Sequence, residues 1–204
     1  DLVITTRELA RMVKASFINP AVLEESHFDR IEGANIGQGT GAGVIFGATG
    51  GVMEAALRSV YAILTNENPD PSKFYNVRPV GGNTGWREAS INIGDKKVDI
   101  AIASGLANAR KIVDAVEKGE KHYHFVEIMA CPGGCVAGGG QPISHDYEIS
   151  LTRGSTLYTL DKNANLRFSH ENPSVISLYE RRPDISHELH TDHTKWDIPP
   201  NPFA

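Results

Sequence analysis

An α/β fold is predicted for this chain of 204 residues, and three features predict it. Apolar residues alternate on both sides of Gly94-Asp95, as they do in a strand hairpin. Segments with apolar residues at helical spacing precede and follow that hairpin. The mostly apolar run 122–129 then reads as a further strand, so strands and helices alternate along the chain.

The elements follow in order. Leu2-Val3-Ile4 reads as a short strand. Thr6 is the expected N-cap of a helix running to about Ser16, with Leu9, Met12 and Val13 as its apolar stripe. Residues 17–32 are polar, contain Pro20 and read as loop. A glycine tract, Gly33 to Gly51, feeds a helix with Val52, Met53, Ala56, Leu57, Val60 and Leu64 on one side; Pro69 and Pro71 follow its end. Ile91 and Ile93 before the Gly94-Asp95 turn, and Val98, Ile100 and Ile102 after it, complete the hairpin. Residues 105–118 read as a helix, with Leu106, Ala109, Ile112, Val113 and Val116 facing inward and Gly119 as its stop. Shorter helices are expected near 153–160 and 174–181. The His- and Pro-rich stretch 183–204 is expected to wrap a surface.

Composition narrows the function. Apolar residues at 40% and charged residues at 22% are ordinary for a globular protein and exclude a disordered or fibrous one. A net charge of −5 lacks the basic surplus of a polyphosphate groove, so no nucleic-acid partner is expected. No apolar run approaches the ~20 residues of a membrane span. The opening Asp1-Leu2-Val3 carries neither a starting Met nor a basic and then apolar leader, and an upstream segment is expected to have been removed. Two cysteines cannot make a disulfide-rich scaffold.

The first glycine tract suggests phosphate binding at a helix N-terminus. The dinucleotide fingerprint fails, because Val44 and Phe46 stand where glycine would be needed, and no Gly-Lys-Ser/Thr occurs. The remaining reading is that these glycines let two backbones pass closely around something bulky. The second tract, residues 131–142, holds both cysteines. Cys131 and Cys135 have three residues between them, against two in thioredoxin-type chemistry. A disulfide, reduced structural thiols, zinc with His122 and His124, and an iron–sulfur cluster all stay open. A cubane takes about four thiolates, so a cluster would draw ligands from elsewhere.

Glu127-Ile128-Met129-Ala130-Cys131-Pro132-Gly133-Gly134-Cys135-Val136-Ala137-Gly138-Gly139-Gly140-Gln141-Pro142 resembles the last of three signature motifs of the [FeFe]-hydrogenases. The stretch from Thr40 to Arg58 is similar to another hallmark of that catalytic domain. So are Thr5-Thr6-Arg7-Glu8-Leu9, Gly105-Leu106-Ala107-Asn108-Ala109-Arg110 and Asn172-Pro173-Ser174-Val175-Ile176-Ser177-Leu178-Tyr179-Glu180. The resemblance runs in the family's order to about residue 195.

It implies an α/β half of a two-lobed domain with the cofactor in the cleft between lobes. That cofactor is the H-cluster, a [4Fe-4S] cubane bridged to a two-iron unit with CO, cyanide and a dithiolate amine. By resemblance Cys135 is the bridging ligand and Cys131 a cubane ligand. Met129 would lie against the two-iron unit, Phe46 would form its apolar wall, and Gly133, Gly134 and Gly138 to Gly140 would let the backbone close over the cluster. The implied activity is reversible hydrogen oxidation and proton reduction.

The family's two other cysteine motifs are absent, so the chain looks like the C-terminal half of the domain, as a split subunit, a processed product or one segment of a longer chain. Residues 1–182 would be that half and 183–204 an extension; alone it should not turn over hydrogen. Implied partners are hydrogen and protons, the N-terminal part with the missing cysteines, and ferredoxin or an NAD(P)-linked subunit. The cytoplasm is the expected compartment, and the family has periplasmic members too. The alternative is a hydrogenase-like iron–sulfur assembly scaffold carrying cubanes only.

Among other residues, Glu54 is expected to pair with Arg58 four positions on. Glu127 is read as a buried partner for a backbone amide or part of a proton path. Met12 and Met53 are expected in the core, and His187, His190 and His193 are read as surface packing.

Overall fold

Around Gly94-Asp95 the chain forms the expected hairpin, β1 (Arg87–Ile93) and β2 (Lys96–Ser104), antiparallel with Ile91 opposite Val98 and Ile93 opposite Lys96. Gly94 has φ +60°, as the first central residue of a II′ turn requires. The structure is a computed structural model that describes residues 3–26, 37–79, 85–146 and 148–190. Two compact units are present, one made of residues 1–27 and 39–172, the other of 28–38 and 173–204.

In the first unit, β3 (Phe125–Met129) pairs parallel with β2, giving the sheet order β1-β2-β3. A parallel neighbour needs a crossover, and α4 (Leu106–Glu117) supplies it. Residues 100–104 of central β2 are buried on both faces. Ile100 and Ile102 point into a cluster with Met53, Leu57, Phe74, Val77, Ile91 and Ile93. Ala101 and Ala103 point the other way, where small side chains let Ala109 and Ile112 of α4 pack close. Leu106 and Val116, expected to face inward, are exposed, and Ala115 takes the next buried position. Phe125 and Ile128, on β3 at the edge of the sheet among the described residues, are also exposed.

Helix α1 (Thr6–Ala15) starts one residue earlier than expected. Thr5 is the N-cap: its hydroxyl accepts from Glu8 N–H at 3.3 Å while the Glu8 carboxylate accepts from Thr5 N–H at 2.7 Å, the reciprocal bonds of a capping box. That box occupies Thr5, and residues 3–5 form no strand. Leu9 and Met12 are exposed, so Met12 is not a core residue.

The first glycine tract contains α2 (Gly41–Val44) and a 3-10 turn, Ile45–Gly47, before α3 (Gly51–Thr65). Of the expected apolar stripe of α3, Met53 and Leu57 are buried, whereas Val60 and Leu64 are exposed. The buried face carries charge instead. Glu54 pairs with Arg58 at 2.6 Å, as expected, and with Arg78 at 2.7 Å. Arg58 also reaches Asp161 on α5 (Ile149–Asn163), and Arg167 adds a third guanidinium at 2.7 Å from Asp161. Arg78 lies between the rings of Tyr75 and Tyr158. Helix α5 is longer than the expected one, and its Gly154 faces Ala48.

In the second unit, α6 (Pro173–Arg181) matches the helix expected there, and α7 (Ile185–Leu189) was not anticipated. Arg182 pairs with Glu188 at 2.6 Å. His193 and most of the expected wrapping segment lie outside the described residues.

Candidate metal centre

Because β2 and β3 are parallel, they end at the same edge, with Ser104 in register with Met129. The carboxyl ends of parallel strands are where loops build sites in open α/β sheets. At this edge β3 runs straight into the cysteine loop. Cys131-Pro132-Gly133-Gly134 is closed by a bond from Gly134 N–H to the Cys131 carbonyl at 3.0 Å, and Gly133 has φ +86°. Pro second and a left-handed Gly third are the requirements of a type II turn. Cys135–Ala137 then makes one 3-10 turn.

Each part of the loop is held from outside. The Ser104 hydroxyl donates to the Cys131 carbonyl at 3.1 Å and accepts from Gly133 N–H at 2.6 Å. Thr49 N–H donates to the Gly133 carbonyl at 3.2 Å. Arg153 donates to the carbonyls of Val136 and Pro142, at 3.0 and 2.7 Å. Arg7 of α1 donates its backbone N–H to Gly140 and its guanidinium to Gly139.

The two glycine tracts meet here. Gly134 has φ +95°, and a Cβ on it would lie 2.7 Å from Thr49 N and 2.8 Å from the Gly47 carbonyl oxygen. A real side chain has no room there, so the reading of two backbones passing closely holds at this crossing.

The residues singled out from sequence fall as follows. Gly133 and Gly134 are buried in the turn, Cys131 is half-buried and Cys135 is exposed; both thiols are free and no disulfide joins them. Met129 is half-buried at the end of β3. Phe46 is 46% exposed, in the 3-10 turn whose last residue, Gly47, backs onto Gly134.

The zinc option is not assembled: among the described residues no three His, Cys, Asp or Glu side chains gather as a metal site. His124 explains why. Its Nδ1 accepts from Asp99 N–H at 3.0 Å, at the start of β3, whereas the cysteines lie beyond its end. Five residues of strand at ~3.3 Å each separate them by about 17 Å. Two free thiols are the donor type that an iron–sulfur cluster takes. A Cβ on Gly138 would sit 3.5 Å from the Cys131 sulfur, filling space that the glycine leaves open beside that thiol.

Glu127 is a partner for backbone amides. It is buried on β3, and its two oxygens accept from Gly50 N–H at 2.6 Å and Met53 N–H at 2.7 Å, at the start of α3. Burial pushes its carboxyl up from the usual range, with the two amides and nearby Arg87 opposing. The sequence reading quoted Arg7 only within a similar stretch and missed Ser104, Arg153 and Asp161. The partners of these four lie up to 133 residues away.

The loop is pinned and glycine-rich, and it presents two free thiols at the carboxyl edge of an α/β sheet. The chain belongs to the iron-only hydrogenase family: residues 1–139 match the iron only hydrogenase large subunit, C-terminal domain, and residues 147–196 match the iron hydrogenase small subunit. It is 46% identical over 202 residues to the NADP-reducing hydrogenase subunit HndD of Solidesulfovibrio fructosivorans, covering 96% of this chain and 33% of that one. Against iron hydrogenase 1 of Clostridium pasteurianum the identity is 43% over 185 residues, 88% of this chain and 31% of the relative. Among solved structures, the [FeFe]-hydrogenase HydA1 of Chlamydomonas reinhardtii superposes with a TM-score of 0.64 at 38% identity, covering 89% of this chain and 51% of that one. The chain thus spans about a third of these curated relatives and half of the solved neighbour. The mixed helix-and-sheet fold agrees with the expectation. No helix among the described residues is long and apolar enough to cross a membrane.

Proposed function

We propose that this chain is the C-terminal half of an [FeFe]-hydrogenase catalytic domain, with residues 1–182 in that domain and 183–204 as an extension. In this reading Cys131 and Cys135 are two ligands of an H-cluster held in a cleft closed by the N-terminal part. The observation that carries it is the free thiol pair on a loop whose carbonyls are pinned from four directions, with the first glycine tract crossing at Gly134. When bound, the cluster supplies heterolysis of hydrogen at iron and a route for electrons through its cubane.

The chain's own residues bind, orient and exclude water. Cys131 and Cys135 would hold the cluster through their thiolates. Met129 offers a soft thioether at the strand end, and the Phe46 ring screens the site from bulk water. The N-terminal part brings the remaining cysteines and the groups that pass protons. Electrons are exchanged with ferredoxin or an NAD(P)-linked subunit, the latter supported by the name of the NADP-reducing relative.

A cubane-only assembly scaffold is the second reading. It draws support from 30% identity over 192 residues to the protein NAR1 of Arabidopsis thaliana, weaker than the 46% to a hydrogenase subunit. The test is an infrared spectrum in the CO and cyanide stretching region, on full-length protein purified without oxygen after cofactor maturation has been supplied. Sharp bands are expected. Bound iron and sulfide without those bands would establish the scaffold, and absence of iron would overturn both readings.

A further inference from the structure

The geometry points to Ser104 as a positioning residue for the Cys131 ligand, an inference that rests on the proposed metal-binding role of the cysteine loop. Ser104 is the last residue of β2 and only 2% exposed. Its hydroxyl is used twice on one turn, donating to the Cys131 carbonyl and accepting from Gly133 N–H. Those two groups flank Pro132, so a single oxygen holds both peptide planes of the turn.

The second bond matters most. In a type II turn the N–H of the third residue points away from the closing bond and finds no partner within the turn. Here that N–H is buried and meets Ser104 at 2.6 Å. Without the hydroxyl it is unpaired, and flipping the Pro132–Gly133 peptide relieves it. Gly133 tolerates the flip, having no Cβ. The Cys131 carbonyl loses its Ser104 donor at the same time, which frees the Cys131–Pro132 peptide to tilt and changes the direction in which the thiol leaves the backbone. Ser104 itself is rigid: its carbonyl accepts from Asn108 at 2.8 Å, and the next N–H, that of Gly105, donates to Met129 at 2.8 Å. The sheet therefore fixes Cys131 through one side chain. Cys135 lies in its own 3-10 turn, where its carbonyl accepts from Gly138 N–H at 3.0 Å. Ser104 thus acts on Cys131 and makes no bond to Cys135.

The experiment compares full-length wild type, Ser104→Ala and Ser104→Thr, the last keeping the hydroxyl, with matched thermal melting as the control for folding. Iron-loaded protein is challenged with a chelator, and cluster-free protein with iodoacetamide, reading each cysteine by peptide mass. Ser104→Ala is expected to release iron ~10–100-fold faster, the usual cost of losing a group that orients a metal ligand, with Ser104→Thr near wild type. In cluster-free protein, alkylation of Cys131 is expected to speed up several-fold in Ser104→Ala while Cys135 keeps its rate. Unchanged Cys131 alkylation would overturn the role of Ser104 whether or not iron is bound. Failure of wild type to take up iron would overturn the proposed function instead, leaving the alkylation result to decide Ser104.

Discussion

Arg58 and Asp161 face each other in a two-point ion pair, Nη1 to Oδ1 and Nη2 to Oδ2, both at 2.8 Å, with both side chains fully buried. The pair ties α3 to α5 across 103 residues of sequence. Burial works to raise the Asp161 carboxyl, but hydrogen bonds from Arg58 and Arg167 outweigh it and hold the group below the ordinary aspartate value. Such a group contributes stability above its unfolded pKa of about 3.9 and loses it as pH falls through the folded value. Asp161→Asn is expected to cost ~3 kcal/mol at neutral pH, the scale for stranding one member of a buried pair. Urea unfolding should show that gap shrinking in acid, where the wild-type carboxyl is protonated too.

Glu127 titrates with the opposite sign. Its carboxyl is raised by burial, so its contribution is complete below the unfolded value of about 4.3 and declines as pH rises through the folded one. Glu127→Ala leaves the Gly50 and Met53 N–H groups unpaired and should cost ~1–3 kcal/mol. The difference from wild type should be largest near pH 4 and smaller at neutral pH, in denaturant titrations run at both. A gap that widens with pH would contradict the raised carboxyl.

Gly134→Ala tests the crossing of the two tracts. A left-handed φ and an added carbon 2.7 Å from Thr49 N act together, so the loss should reach ~2 kcal/mol or more. Iron uptake should fall with it, because the residue directly precedes Cys135. Wild-type melting and iron content in this variant would show that the crossing is loose in solution.

Phe46→Ala separates packing from function. The ring is half in solvent within this chain, so the chain alone should change by no more than ~0.5 kcal/mol. In the loaded full-length protein, its loss should shift the CO and cyanide infrared bands as water gains access to the site. Unshifted bands would remove Phe46 from the proposed wall.

How much the sequence discloses depends on how local the cause is. The hairpin at Gly94-Asp95 and the Ile100/Ile102 alternation are local, and both appear as expected. The cysteine loop was legible because its residues are contiguous. The pairing of Glu54 with Arg58 was legible from its helical spacing, but the network around it was not, since Arg78, Asp161 and Arg167 reach the pair from remote segments. Ser104 carries no signal in the sequence, and only the parallel register that brings it to Met129 gives it a role.

The bonds around the cysteine loop also set an order of events during folding. Gly50 finds Glu127 across 77 residues, and Ser104 finds Gly133 across 29. Contacts so distant in sequence carry a large loop-closure cost and form slowly. The thiols therefore reach their final direction only after the crossover through α4 has closed and α3 has docked. Cofactor loading is then a step that follows chain collapse, and a chain arrested before that point would expose two reactive sulfurs on a loop with nothing to hold it.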